Sequence, residues 1–382
     1  MKVFGVGLSL LLNACSGDKP TVATPDPHSW ELASAEAPEQ GEGSEYWWKL
    51  TSAGSRLLAM TSASVIWRSD AYSSGWQKLK WSNVGEPNSW HAENDSVWIG
   101  TRKPGRLYGC RVSDWTCKDF NLTIPDTAEV GHVSRFKGKV YAFADAYRVR
   151  WVKSLEPEGW SSWDDGFPID VPYRTLVVGD TLWAASWENG LWYRVGSEPA
   201  WKKQQSQRWT KNYLRADSSQ NPRGLAWHHG ALWVGDWSGE VTRMPGARAP
   251  YQAVANCPAG ASLPHCRHEP TNIFSLLSYK DRLFVGGYFG AAPFVLDEPT
   301  GFWITTEIAG WCWNDGNTCG GKRTWDMVGL GDTLYSASSR YIMKLPLSKV
   351  PVFDTTMMTR FYWNPDTSKR DSILRRNNPI GS

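Results

Sequence analysis

Short apolar runs recur along the chain, aromatic at the second position in six of seven copies. They are Leu57-Leu58-Ala59-Met60, Val97-Trp98-Ile99-Gly100, Val140-Tyr141-Ala142-Phe143, Leu182-Trp183-Ala184-Ala185, Leu232-Trp233-Val234-Gly235, Leu283-Phe284-Val285-Gly286 and Leu334-Tyr335-Ser336-Ala337. Polar turn residues precede nearly every copy, as in Asn94-Asp95, Gly138-Lys139, Gly179-Asp180, Gly230-Ala231 and Gly331-Asp332. Runs this short between turn signals read as strands, and no long stretch keeps a helical period. The copies are spaced by 40, 43, 42, 50, 51 and 51 residues. Repeats of that length holding several short strands mark propeller blades, each a four-stranded sheet arranged around a channel. The pattern therefore predicts an all-β, seven-bladed β-propeller of four-stranded antiparallel blades over 46–363.

Within a blade the repeated run fits the second strand. Segments such as 175–178 and 224–227 precede it as inner strands, and 190–195 and 239–244 follow it as third strands. Segments 76–80, 115–120 and 302–305 look like outer strands. The aromatic column Trp98, Tyr141, Trp183, Trp233, Phe284 and Tyr335 should fill the wedges between blades. Closing the ring removes exposed edges. The last blade needs an outer strand for this, from either 29–32 or 359–363.

Composition agrees: 25 Trp suit pleated, half-buried surfaces, and 35 Gly with 23 Pro supply turns. Net charge is +3 with 21% charged residues, so no basic stripe argues for nucleic acid. Charge is concentrated at the ends. Residues 16–45 carry seven acids and one Lys; from Arg340 onward there are eight Lys or Arg against three Asp. Such ends read as solvated, which makes 15–45 a flexible tether and 364–382 a basic, disordered tail.

The first 14 residues read as an export signal: Lys2, then an apolar run of about ten residues, too short to span a bilayer. Leu12-Asn13-Ala14-Cys15 resembles the bacterial lipobox, which implies acylation of Cys15 and cleavage just before it. Ser16 follows where, by resemblance to enteric lipoproteins, Asp would retain the protein at the inner membrane; this implies the outer membrane. The remaining six cysteines fall into the close pairs Cys110 with Cys117, Cys257 with Cys266 and Cys312 with Cys319. Six cysteines allow fifteen connectivities; local pairing is the simplest, and such bridges persist in an oxidising compartment. The spacings are wider than usual for zinc.

Several blades resemble known families. Val97-Trp98-Ile99-Gly100-Thr101 with Gly105-Arg106-Leu107-Tyr108 resembles the two-component-regulator propeller repeat. Arg223-Gly224-Leu225-Ala226-Trp227 with Leu232-Trp233-Val234-Gly235-Asp236 is similar to a blade of the gluconolactonase and regucalcin group, or of the streptogramin lyases. The likeness is at blade level and speaks for architecture rather than activity.

Three features point to one face. The loop joining second and third strands has its tip five residues after each repeat start, placing Trp187, Trp237 and Tyr288 in an arc on neighbouring blades. Exposed rings at loop tips stack on sugars or anchor protein partners, or fold back over the blade tops. Arg174 and Arg223 begin inner strands at nearly equivalent positions, with Lys49 and His132 in the same column and Arg323 slightly upstream. They favour an anionic ligand, or make inter-blade salt bridges. The connection from Trp311 to Cys319, with Trp313 and Asp315-Gly316, would be a stapled loop presenting two Trp.

The residues supply no complete catalytic constellation. The gluconolactonase resemblance implies a divalent metal held by Glu, Asn and Asp, but Arg223 stands where its Asn is expected and only Asp236 remains. His228-His229 beside Gly230 reads as a hairpin turn. Ser69-Asp70 with Gly75-Trp76 is only faintly similar to a sialidase Asp-box, and no nucleophile-elbow motif occurs. The expectation is a lipid-anchored, monomeric, cofactor-free binding module for a glycan or protein. The alternative is a metal-dependent hydrolase or lyase with a divalent cation in the channel.

Overall fold

Each repeated run forms the second strand of its own four-stranded antiparallel sheet in the computed structural model. The model describes residues 31–33, 46–70, 75–146, 149–162, 171–186, 190–196, 198, 200–204, 221–237, 241–245, 252–254, 273–287, 293–297, 302–306, 323–338 and 341–350. After β1 (Glu31–Leu32), blade 1 is β2 (Trp47–Ala53), β3 (Arg56–Thr61), β4 (Ile66–Asp70) and β5 (Gln77–Lys78). Blade 2 is β6 (Glu86–Glu93), β7 (Ser96–Arg102), β8 (Leu107–Arg111) and β9 (Thr116–Asp119). Blade 3 is β10 (Glu129–Phe136), β11 (Lys139–Ala146), β12 (Val149–Glu156) and β13 (Gly159–Ser162). Blade 4 is β14 (Pro172–Val178), β15 (Thr181–Ser186), β16 (Gly190–Val195) and β17 (Lys202–Lys203). Blade 5 is β18 (Pro222–His228), β19 (Ala231–Asp236), β20 (Val241–Pro245) and β21 (Gln252–Val254). Blade 6 is β22 (Ser275–Tyr279), β23 (Arg282–Gly286), β24 (Phe294–Asp297) and β25 (Phe302–Thr305). Blade 7 is β26 (Thr324–Leu330), β27 (Thr333–Ser338) and β28 (Ile342–Pro346), completed by β1.

The seven inner strands follow one another round a ring, and β2 of blade 1 packs against β26 of blade 7. The amino-terminal candidate closes that ring: Glu31 pairs with Lys344 and Leu32 with Met343. Ala33 then donates to the Ile342 carbonyl at 2.8 Å and accepts from the Trp76 indole at 2.6 Å, tying the closing strand to both blades it joins.

The aromatic column is core. Trp183 and Phe284 are wholly buried, Tyr141, Trp233 and Tyr335 nearly so, and Trp98 is half-buried against Phe120 at 4.7 Å. The glycines ending three of the repeats have a packing reason. A Cβ on Gly235 would lie 2.5 Å from the Ile273 side chain of the next blade, and one on Gly100 or Gly286 would overlap Val130 or Thr324 at the corresponding place. These are the residues just before the inner strands turn into the sheet, so the glycine lets each blade seat closely on its neighbour. His229 (φ 44°) and Gly230 (φ 72°) form the two-residue hairpin between β18 and β19. Both central residues have positive φ, as the tight hairpin turn requires.

Cys110 and Cys117 are directly opposed on β8 and β9 and form a disulfide. Cys15, Cys257, Cys266, Cys312 and Cys319 lie outside the described residues, as do the export signal and the basic tail.

Candidate functional site

Six inner strands share one irregularity. Their pairing with the second strand slips by one residue between Trp47 and Lys49, Pro87 and Ser89, Val130 and His132, Pro172 and Arg174, Pro222 and Gly224, and Thr324 and Asp326. The extra residue is a β-bulge, which leaves the ladder and re-aims a side chain. Bulged residues are Trp48, Asn88, Gly131, Tyr173, Arg223 and Trp325; Phe274, just before β22, holds the same place in blade 6. All seven stand nine positions before their repeat starts and encircle one mouth of the channel.

This register corrects the column of basic residues. Lys49, His132 and Arg174 are equivalent, each the first residue paired after its bulge, and blade 7 contributes Asp326 there. Arg223 belongs one residue higher, in the bulge layer, where its counterpart in blade 4 is Tyr173. One inserted residue accounts for the slip, because pairing after a bulge shifts by one.

The bulge layer is held together by ring contacts. Trp325 stacks on Tyr46 at 4.8 Å and meets Trp48 at 5.4 Å and Phe274 at 4.4 Å. Phe274 continues to Trp237 at 5.7 Å, edge to face. The Arg223 guanidinium lies 3.7 Å from the Trp237 ring centre, 4.3 Å from Tyr173 and 5.3 Å from Phe274. Arg323 lies 5.0 Å from Trp325. A chain of rings and guanidinium groups therefore runs from blade 1 through blades 7, 6 and 5 to blade 4. Arg223 is buried, and burial pushes its pKa down; the electron-rich ring faces favour the charged form, which Arg keeps.

Inside this mouth lies a cavity of about 410 Å³ lined by Glu129 at the rim, Trp48, Asn88, Tyr173, Phe274 and Trp325 in the bulge layer, Lys49, His132, Arg174 and Asp326 one position further in, and Trp90 and His91 beyond them. Arg174 reaches from blade 4 to an ion pair with Asp326 of blade 7, which is not its neighbour in the ring. The Asp326 carboxylate, 5% exposed, also accepts the Leu50 N–H at 3.0 Å and its own neighbour Met327 N–H at 2.9 Å. His132 hydrogen-bonds Thr175 at 2.9 Å, and that hydroxyl donates to Ser134. Burial, with the charges of Lys49, Arg174 and His91, holds His132 well below its ordinary pKa. Burial and Arg135 hold His91 down to about 4, so both rings are neutral at pH 7. Burial raises the pKa of Glu129, with Asp145 adding to it.

Of the residues expected at a binding face, Arg174, Arg223 and Trp237 are described and border this mouth. Trp237 is half-buried, with Arg223 covering one face, and Arg174 keeps about a third of its side chain exposed beside the cavity. Trp187, Tyr288, Trp311 and Trp313 lie outside the described residues. Trp48, Tyr173, Phe274 and Trp325 were not singled out by sequence. Their constant spacing before the repeats was the available signal. Among the described residues no three His, Cys, Asp or Glu side chains gather as a metal site. Asp236, the one match to the lactonase-like ligand set, is buried, and its backbone carbonyl accepts the Ile273 N–H across the blade junction.

No protein-family model and no curated protein matches the chain. Solved structures do, at the level of fold. YCF48 bound to a D1 peptide is 11% identical, with a TM-score of 0.56 over 87% of this chain and 97% of that one. An extracellular domain assigned to a hybrid two-component system of B. thetaiotaomicron is 12% identical, with a TM-score of 0.60 over 83% of this chain. This chain spans only 40% of that domain's length. A computationally designed protein, Ika8, superposes with a TM-score of 0.52 at 9% identity, over 82% of this chain and 99% of that one. Likeness at these identities shows the propeller and nothing finer.

Proposed function

We propose that this protein is an exported, membrane-anchored recognition module whose ligand enters the mouth of the central channel. The observation that carries the reading is the bulge layer: Trp48, Tyr173, Phe274 and Trp325 line a cavity of about 410 Å³, with the buried Arg223 packed against Tyr173 and Phe274. That volume falls within the roughly 300–1,000 Å³ of ligand pockets, and rings beside a few polar groups are their usual lining. Half-buried aromatic rings interleaved with guanidinium groups suit a polar ligand with an apolar face. A structurally similar propeller, YCF48, is bound to a peptide, which fits a recognition role for this architecture. On this reading Trp187, Tyr288 and the Trp311 and Trp313 connection extend the same face.

Export and anchoring belong to the proposal. Cys15 carries the lipid, Ser16 directs it to the outer membrane, and the acidic segment from Ser16 leads to the closing strand. The Cys110–Cys117 bridge and the extracellular position of the similar B. thetaiotaomicron domains fit that compartment. Cys15→Ala should move the protein from the membrane to the soluble fraction; unchanged fractionation would count against the anchor.

The site is tested by Trp48→Ala combined with Trp325→Ala in glycan-array and pull-down binding. Each ring contributes about 1 kcal/mol or more, so the pair should weaken binding at least tenfold. A ligand bound equally well by the double variant would place the site elsewhere.

A further inference from the structure

The channel floor holds a charge imbalance that the fold does not require. In the layer below the bulges, blades 1 and 4 contribute the cations Lys49 and Arg174, and blade 3 the neutral His132, against one carboxylate, Asp326. Asp326 is already committed to Arg174 and to the Leu50 N–H. His132 is committed to Thr175. The Lys49 ammonium borders the cavity with no hydrogen bond or ion pair among the described residues. Lysine is strongly hydrated, and holding its charge deep in a channel is costly unless a counter-charge meets it. Its pKa shows that cost: burial first, and the charge of Arg174 second, push it down to about 8, with the shared Asp326 carboxylate offsetting only part of the shift. An apolar side chain of the same length would fill the space without the penalty. An arriving anion would be met by Lys49 and by the exposed third of Arg174.

We propose that this floor is an anion site for the carboxylate of an acidic sugar at the end of a saccharide. Lys49 and Arg174 hold the carboxylate, and the half-buried Trp48, Tyr173 and Trp325 line the wall beside the sugar ring. The proposal rests on the reading of the channel mouth as the ligand site and deepens it. A sugar chain fits better than a peptide terminus because flat rings stand beside polar side chains spaced along the cavity wall, Glu129 at the rim, Asn88 in the bulge layer and His91 further in, which suit hydroxyl groups of successive sugar units. A peptide would also need free backbone partners, and the Leu50 N–H of this layer is already taken by Asp326.

The test uses the full chain and calorimetric titration with oligosaccharides ending in glucuronate, galacturonate, mannuronate or guluronate. Their methyl esters and a set of short peptides with free carboxyl termini are the comparison probes. At least one uronate should bind, its ester at least tenfold more weakly. Lys49→Met should cause a similar loss for the acid and little for the ester. In the unsubstituted protein, bound uronate should protect Lys49 from an amine-reactive reagent, a readout that does not depend on a variant folding. Binding of acid and ester with equal affinity, or failure of all four uronates, would overturn the proposal. So would binding of the peptides alone. If Trp48→Ala removes binding of a ligand to which Lys49→Met is indifferent, the anion site fails while the channel-mouth reading stands. If neither substitution matters, both fail.

Discussion

Replacing Lys49 with Met should make the protein more stable, and the gain should depend on pH in a specific way. Lys49 has a pKa of about 8 in the folded protein against an ordinary value of 10.5. Each unit of displacement corresponds to about 1.4 kcal/mol, so the buried charge opposes folding by up to about 3 kcal/mol at pH 7. Water in the cavity beside the half-buried side chain screens part of this, and a gain of about 1–2 kcal/mol is expected. The sign follows from proton binding. Between pH 8 and 10.5 the unfolded chain keeps a proton that the folded protein has lost, so the stability of the unsubstituted protein rises across that window. The advantage of the variant is therefore full below pH 8 and fades towards pH 10.5. Denaturant unfolding of both proteins at pH 7, 9 and 10.5 measures it. A Lys49→Met protein destabilised by more than 1 kcal/mol at pH 7 would refute the reasoning, since Lys49 would then be contributing contacts to the fold. A gain that does not change with pH would show that packing, not charge, is responsible.

Other outcomes follow from the same geometry. Gly235→Ala should destabilise by about 1–3 kcal/mol in denaturant unfolding, because the new methyl group would overlap Ile273 of the adjoining blade. Reduction or Cys110→Ser with Cys117→Ser should cost about 2 kcal/mol, the chain-entropy value for a bridge closing so short a loop, and peptide mapping without reductant should show the two linked. His91 stays neutral in the fold down to about pH 4, so stability should fall as pH drops from 6.5 towards 4, by up to about 1.4 kcal/mol per pH unit from that ring, and His132, held below its ordinary pKa by burial, adds in the same direction. His91→Gln should flatten the acid limb of a thermal-unfolding series; an unchanged limb would mean that the ring protonates freely in the folded state.

The architecture was legible because its signals are local and repeated. Trp183, Trp233 and Phe284 recur with turn residues ahead of them, and periodic packing demands that kind of recurrence. The closing strand was legible only as a choice of two, since a two-residue strand such as Glu31–Leu32 carries almost no pattern of its own. The site was harder to read for a physical reason. Arg174 and Arg223 look like one column until the bulges are counted, and a bulge one or two residues into a strand breaks the alternation too near the strand end for the break to be read from sequence. Trp48, Phe274 and Trp325 were lost among 25 Trp and 12 Phe residues. In an all-β chain an aromatic residue at the start of a strand is equally suited to core or surface.

The bulge also explains how one ring can serve both fold and recognition. Residues on either side of it, such as Val130 and His132 or Pro172 and Arg174, stay in the ladder and fix the inner strand against its neighbour. The bulged residue itself owes nothing to that ladder, so its side chain can vary without shifting the register, except at Gly131, where a Cβ would lie 2.7 Å from Val171. The crown accordingly holds residues as unlike as Gly131, Asn88, Arg223 and Trp325 at equivalent places. The pre-bulge positions hold Val130, Ile273 and Thr324, each seated against a glycine of the preceding blade. Substitutions at Trp48 and Trp325 should therefore separate binding from stability more cleanly than any at Gly235 or Ile273. Unfolding curves set beside binding curves for the two classes would expose the division. If Trp325→Ala costs as much stability as Gly235→Ala, the crown is structural mortar between blades 1, 6 and 7. The rings would then have to be read as core that happens to reach the surface.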